Sequence, residues 1–217
     1  MTGTDTGVGK TRVGVALLGA LRARGAAVAV RKPAESGCER VAGELRAADA
    51  EALCRAAGSD EPIDTICPLR LAEPLAPAIA ARRAGASLDI EAFVMATRAR
   101  ARAVDVMLVE GAGGLLVPLV DHVSCGELAA RLGSELLIVV GARLGAINHA
   151  LLTEAAAFAA GLPVLGFVVN HVKPGEDAAR TSLTASLREF ARAPVLAEIG
   201  YGADGLRELA GLAARLA

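Results

Sequence analysis

Near its start the chain carries Gly3-Thr4-Asp5-Thr6-Gly7-Val8-Gly9-Lys10-Thr11, a glycine-rich run closed by Lys-Thr. A loop of this kind wraps backbone N–H groups around phosphate oxygens. Its lysine neutralises the outer phosphates and its threonine hydroxyl is placed to bind Mg²⁺. The spacing predicts a helix from about Lys10 to Arg24, which would aim the positive end of its dipole at the same phosphates. Five residues separate Gly3 from Gly9, where the common pattern has four. A plain glycine-rich turn ahead of a helix is the competing reading. The order Gly, Lys, Thr before an amphipathic stretch favours a nucleoside triphosphate site.

Other chemistry-bearing residues stand where apolar runs stop. Lys32 closes one run in Lys32-Pro33-Ala34-Glu35-Ser36-Gly37. A cation there would hold an anionic substrate group or offset charge developing in phosphoryl transfer, unless it is only a solvated lysine at a turn set by Pro33. Glu110 closes Val106-Met107-Leu108-Val109 and precedes Gly111-Ala112-Gly113-Gly114. A carboxylate so placed suits Mg²⁺ or its waters, and the small residues let backbone approach a ligand closely; this outweighs an exposed strand-end acid. Asn170 opens Asn170-His171-Val172-Lys173. Its amide offers a donor and an acceptor that match the N6/N7 edge of adenine, with an Asx-turn as the alternative. The aspartate of the guanine-reading Asn-Lys-x-Asp pattern is absent, which favours ATP over GTP. Asp49, on its own residue type, reads as an ordinary helix acid. His122, His149 and His171 stand apart, against a histidine metal site.

The elements that must position these residues alternate. Short apolar runs at Ala26–Lys32, Val104–Val109, Leu136–Val140, Val164–Val169 and Val195–Ile199 read as buried strands. Helical patterns cover about Arg46–Ala57, Ile90–Ala103 and Ile147–Ala160, and a proline-punctuated stretch runs from Pro62 to Pro77. Near-continuous apolar strands, each followed by an amphipathic helix, predict an α/β domain with a mostly parallel sheet covered on both faces. Ligands in such sheets collect at the carboxyl ends of the strands, where Lys32, Glu110 and Asn170 stand. A phosphate loop normally follows a buried strand, yet only Met1-Thr2 precedes Gly3, so the first strand reads as truncated.

The 217 residues fit one domain with a full core, and no stretch reads as an interdomain linker. A net charge of −1 and pI near 6.3 exclude the electrostatic footprint of a nucleic-acid or anionic-membrane binder. No secretory leader is read, and no apolar run is long enough for a membrane span. Cys38, Cys54, Cys67 and Cys125 are scattered, as free thiols in a reducing cytoplasm would be. With aromatics at 2%, the core is expected to be Ala, Leu and Val.

Taken in order, four segments resemble dethiobiotin synthetases. They are Gly3-Thr4-Asp5-Thr6-x-Val8-Gly9-Lys10-Thr11, Lys32-Pro33-x-x-Ser36-Gly37, Val109-Glu110-Gly111-Ala112-Gly113-Gly114, and Leu144-Gly145-x-Ile147-Asn148-His149-x-Leu151-Leu152-Thr153. The five-residue loop spacing is that family's own form. The resemblance implies a three-layer P-loop NTPase-like domain and a homodimeric biotin-pathway enzyme. Such an enzyme takes 7,8-diaminopelargonate, CO₂ and MgATP to dethiobiotin, ADP and phosphate. One amine captures CO₂ as a carbamate, the carbamate attacks the γ-phosphate, and the second amine displaces phosphate.

Carried over by position, Gly7, Val8, Gly9, Lys10, Thr11 and Arg12 would hold the nucleotide, with Gly111, Ala112 and Gly113 beside it. Thr11, Asp49 and Glu110 would bind Mg²⁺. Lys10 and Lys32 would be the catalytic cations, with Lys32 on the carbamate. Thr6, Ser36 and Asn148 would contact substrate, the Leu144–Asn148 segment lying near the partner's substrate tail. Asn170 would read adenine beside His171, with Gly200, Tyr201 and Gly202 at the base. That last segment departs from the family pattern, which places a proline and often an aromatic there. Arg143 stands where lysine is common, which keeps the charge but changes donor geometry. Two rivals share the loop. A cobyrinate-amidating synthetase would need a glutamine-hydrolysing domain, for which no candidate is read. A partitioning-type ATPase switch would carry a signature lysine where Asp5 stands.

Overall fold

Apolar runs alternating with amphipathic ones produce a β/α succession, seen in a computed structural model that describes residues 1–175 and 177–217. Strand β1 (Thr2–Gly3) leads through the glycine loop to helix α1 (Lys10–Ala23) and strand β2 (Val28–Arg31). Two short strands follow the Lys32 turn, β3 (Ala34–Ser36) and β4 (Glu39–Val41). The chain returns through β5 (Glu44–Arg46) into α2 (Ala48–Ala57). The proline-punctuated stretch folds as α3 (Ile63–Ile66) and β6 (Leu69–Leu71), ahead of α4 (Pro77–Ala84) and α5 (Ile90–Ala101). Next come β7 (Val106–Val109), the hairpin β8 (Pro118–Val120) and β9 (Val123–Ser124), and α6 (Cys125–Leu132). The chain then alternates strictly: β10 (Leu136–Gly141), α7 (Ala146–Ala159), β11 (Val164–Asn170), α8 (Ala178–Phe190), β12 (Val195–Ile199) and α9 (Leu206–Leu216).

Strands β1, β10, β11 and β12 form a parallel sheet in that spatial order, and β2 pairs in parallel with β7. All six residues of β10 are buried, as a central strand covered on both faces requires. The two-residue strand period separates the faces. Leu137 and Val139 point to one side, into a core with Leu17, Leu18 and Leu21 of α1, Leu53 of α2, and Leu209 and Leu212 of α9. Ile138 and Val140 point to the other, against Ala146 and Ala150 of α7 and Leu183 and Leu187 of α8. The expected doubly covered α/β sheet is thus present, with an aliphatic core; Phe167 is its largest fully buried side chain.

The β1–β10–β11–β12 sheet and the β2–β7 pair meet only at their carboxyl ends. There the Met1 ammonium donates to the Val109 carbonyl at 2.7 Å, and the Gly111 N–H donates to the Met1 carbonyl at 3.0 Å. Toward the opposite ends a cavity of about 250 Å³ separates β7 from β10, lined by Met1, Leu17, Met107, Leu108, Leu137 and Leu165 among others. Accordingly β7 is buried only at Leu108, whereas β2 is buried throughout.

Several elements differ from the sequence expectation. The strand expected over Ala26–Lys32 narrows to β2 because Gly25 and Ala26 still close α1, both N–H groups bonding back to its last turn. Lys32 and Glu110 stand one residue past their strands rather than ending them. The β4–β5 hairpin, α6, α8 and α9 were not expected. No helix among the described residues is long and apolar enough to cross a membrane.

Candidate nucleotide and substrate site

The glycine loop delivers α1 with its first turn open. Gly9 sits at its N-terminus at φ 86°, with no side chain capping the helix and no acid in the first turn, so the leading N–H groups remain available to an anion. A Cβ on Gly9 would lie 2.1 Å from the Asn170 Nδ2, so only glycine fits there. Lys10 is buried, its Nζ donating to the Asp5 carbonyl at 3.2 Å. Burial pulls its pKa below the usual lysine range, and Glu110 opposes that shift.

Past the ends of β2 and β7, the cation and the carboxylate predicted from sequence meet. Lys32 Nζ lies 2.6 Å from Glu110 Oε1 and 3.3 Å from Asp49 Oδ2, and the Thr11 hydroxyl donates to Glu110 Oε1 at 2.9 Å. Burial opposes the charge on Lys32, yet Glu110 and Asp49 together hold its pKa above the usual value. Glu110 is wholly inaccessible and its Oε2 has no hydrogen-bond partner. The chemistry of such an oxygen fits a donor or a hard cation. Among the described residues no group of three or more His, Cys, Asp or Glu side chains is placed to hold a metal. A cation here would draw on two carboxylates, the Thr11 hydroxyl and phosphate oxygens.

Sequence reasoning missed Glu35. Its buried carboxylate accepts from the Asp49 and Ala50 N–H groups at 3.1 and 3.0 Å, capping α2 and fixing the Asp49 backbone beside Lys32. Burial raises its pKa against those two bonds. Glu35 stands in the quoted Lys32-to-Gly37 segment, but only the folded chain reveals that it reaches α2. Around these groups opens a cavity of about 550 Å³, lined by Thr6, Lys10, Thr11, Lys32, Ser36 and Asp49 among others, with Gly7, Gly9, Gly111, Ala112 and Gly113 at its wall.

A second cavity, about 340 Å³, lies on the far side of Gly9 and is lined by Arg12, Asn170, His171, Val172, Tyr201 and Gly202. Asn170 is fully buried. Its Nδ2 donates to the Val8 carbonyl at 2.8 Å and its Oδ1 accepts from Arg12 at 2.6 Å, leaving one donor and one acceptor position unused. Arg12 also donates to the carbonyls of His171 at 3.3 Å and Gly200 at 2.7 Å, and to that of Ala203. One guanidinium therefore ties α1 to both loops of this cavity. His171 pairs with Glu198 at 2.8 Å. Val8 is buried beneath the loop, and Asn148 is exposed at the start of α7, lining neither cavity.

Residues 1–205 match the AAA domain family. Over 217 residues the chain is 43% identical to the ATP-dependent dethiobiotin synthetase BioD of Anaeromyxobacter dehalogenans (strain 2CP-C), covering 100% of this chain and 96% of the relative. This chain belongs to the dethiobiotin synthetase family. The BioD of Nitrosospira multiformis is 43% identical over 201 residues, 93% of this chain and 87% of that protein. Among solved structures, the septum site-determining protein MinD with Mg-ADP from Pyrococcus horikoshii OT3 superposes with a TM-score of 0.62 at 15% identity. That match covers 100% of this chain and 93% of the other. A MinD cell division protein of Aquifex aeolicus gives 0.61 at 15% identity, covering 99% and 94%. These two show that the chain shares their α/β fold, and no more than the fold.

Proposed function

We propose that the chain closes the ureido ring of dethiobiotin from 7,8-diaminopelargonate, CO₂ and ATP, releasing ADP and phosphate. The observation that carries this reading, beside family membership, is the convergence of two buried lysines, Lys10 and Lys32, on one cavity, with the Glu110 carboxylate buried behind Lys32 and one of its oxygens unsatisfied. Ring closure through a carbamate brings anions together. The carbamate must approach the γ-phosphate, and fixed cations on both sides offset their repulsion without reorganising.

The residues fit these steps in order. One substrate amine adds to CO₂ and loses a proton, giving a carbamate that Lys32 holds. A carbamate oxygen attacks the γ-phosphorus and displaces ADP, while Lys10 and the open first turn of α1 hold the phosphates. The second amine attacks the carbamoyl carbon and expels phosphate, closing the ring as its proton leaves. Thr6 and Ser36 line the wall where the diamine would lie. Mg²⁺, when bound, supplies charge neutralisation between phosphate oxygens; Thr11, Asp49 and the free Glu110 oxygen are the groups that would hold it. Lys32 has two of its three donors on Glu110 and Asp49, which leaves one for the carbamate. Arg12, Asn170, His171 and the Gly200–Gly202 loop would enclose the adenine.

A homodimer follows from the same reading. Exposed Leu116 and Leu152 line a cavity of about 440 Å³ beside Asp5 and Thr6, and a second copy covering that face would bring its Asn148 near the substrate. Sedimentation of a Leu152→Asp variant as monomer, with the parent as dimer, would support this. A monomeric parent would end it.

The test of the reaction is mass spectrometry of mixtures containing 7,8-diaminopelargonate, bicarbonate, ATP and Mg²⁺, each omitted in turn. Dethiobiotin with matching ADP should form only in the complete mixture. ATP turnover that ignores the diamine but responds to DNA or lipid would replace this reading with an ATPase switch.

A further inference from the structure

Among the described residues, the titratable side chains lining the cavity of about 550 Å³ are Lys10, Lys32, Glu35 and Asp49. The two lysines repel an amine. Asp49 is half-exposed and already paired, its Oδ2 lying 3.3 Å from the Lys32 Nζ. Glu35 is different. Its Oε1 accepts from the Asp49 N–H at 3.1 Å and its Oε2 from the Ala50 N–H at 3.0 Å, and among the described residues its side chain makes no other hydrogen bond or ion pair. A carboxylate has two acceptor positions on each oxygen, so one position per oxygen stays unused on a residue only 8% exposed. Buried acceptors call for donors, and here the cavity is where a donor can come from.

Capping α2 does not by itself require this group. The helix starts after Ala47, which supplies no cap, so an acceptor from elsewhere is needed. One neutral oxygen can fill such a role, as the Ser124 hydroxyl does for α6. A full carboxylate at a cavity wall exceeds that need. Its place is also specific. Lys32 meets Asp49 through the side chain and Glu35 meets it through the backbone N–H, so both flank one residue. Ser36, next in the chain, lines the same wall.

We infer, resting on the ring closure proposed above, that the Glu35 carboxylate seats the substrate amine that does not carry the carbamate. Glu35 accepts an N–H of that amine while Lys32 holds the carbamate on the neighbouring carbon. With both nitrogens held, the free lone pair of the amine is turned toward the carbamoyl carbon, as ring closure needs. Glu35 thereby also separates a diamine from a monoamine, because a molecule without the second amine leaves the buried carboxylate without its donor.

The test uses calorimetry on the full chain with 7,8-diaminopelargonate and with the two monoamines that each lack one of its amino groups, then repeats it with Glu35→Gln. The parent should bind the diamine roughly tenfold to a hundredfold more tightly than one of the monoamines, the size of a hydrogen bond to a charged group. Glu35→Gln should cut that ratio to less than about threefold and leave affinity for the same monoamine within about threefold. A variant weakened equally toward all three ligands overturns the inference, since loss of the α2 cap would act in that way. Equal affinity of the parent for all three overturns it with no variant needed. So does a crystal structure of the parent with the diamine in which neither amine nitrogen lies within hydrogen-bond distance of Glu35. Dethiobiotin made by the parent beside any of these results removes Glu35 from the role and leaves the ring closure standing. A parent that neither binds nor converts the diamine removes both.

Discussion

Replacing Lys32 by Met tests how the buried charges hold one another. Lys32 is 4% exposed and Glu110 0%, so neither is rescued by solvent when its partner goes. Without Lys32, Glu110 keeps one hydrogen bond, from Thr11, and a fully buried negative charge. Breaking a buried pair on one side costs about 3–5 kcal/mol. For a chain of this size that corresponds to a Tm lower by roughly 6–20 °C. The double variant Lys32→Met/Glu110→Gln removes both charges and should recover most of the loss, because a neutral buried pair pays no uncompensated desolvation. Thermal and urea melts of the parent, the single and the double variant check this without ATP. With MgATP, the single variant should gain more stability than the parent, since a cation at Glu110 replaces the missing lysine charge. Equal destabilisation of single and double variants would refute the argument, showing that lost packing around the lysine stem sets the cost.

Other expectations follow from the same geometry. Glu110→Gln should raise the Mg²⁺ concentration for half-maximal turnover roughly tenfold or more, because one anionic oxygen is gone; an unchanged Mg²⁺ titration removes Glu110 from the metal site. Arg12→Met should raise KM for ATP about tenfold while leaving kcat within about threefold, since Arg12 braces the base-side loops and touches no phosphate-side group; a fall in kcat alone contradicts that role. The Met1 amine predicts a pH effect of defined sign. The unfolded chain keeps this proton up to about pH 8.0, and the folded chain loses it near pH 6, so stability should rise between those values by about 2–3 kcal/mol. An N-terminally acetylated chain should lack this slope; urea melts at pH 5.5 and 8.5 that show the same slope for both forms would assign it to other groups.

The sequence made the sheet visible where apolar runs were long and unbroken. Leu136–Gly141 is a strand within one residue of its expected limits, because burial on both faces leaves no polar position to blur them, and Val195–Ile199 matches its expected limits although only Ile199 is buried. The missed elements carried weaker or overlooked signals. Strands β4 and β5 are largely exposed and hold no apolar alternation. Helix α6 opens on a capping box, Ser124 with Glu127, and α9 spaces Leu206, Leu209, Leu212 and Leu216 on one face; both patterns stand in the chain. At the candidate site, Lys10, Thr11, Lys32 and Glu110 were legible from residue type and position just past strands, whereas Asp49, inside α2, was marked only by the family resemblance. Glu35 and the bracing reach of Arg12 were not, since each acts through backbone groups of segments distant in sequence. No residue-type pattern records such a contact.

The first turn of α1 serves two rooms from one wall. Lys10 and Thr11 face one cavity and Arg12 reaches into the other, while Leu17, Leu18 and Leu21 of the same helix are anchored in the core. Neighbouring side chains on one helical turn thus stand at the edges of two rooms, so a molecule long enough to span them would meet a single wall rather than two parts that must first be aligned.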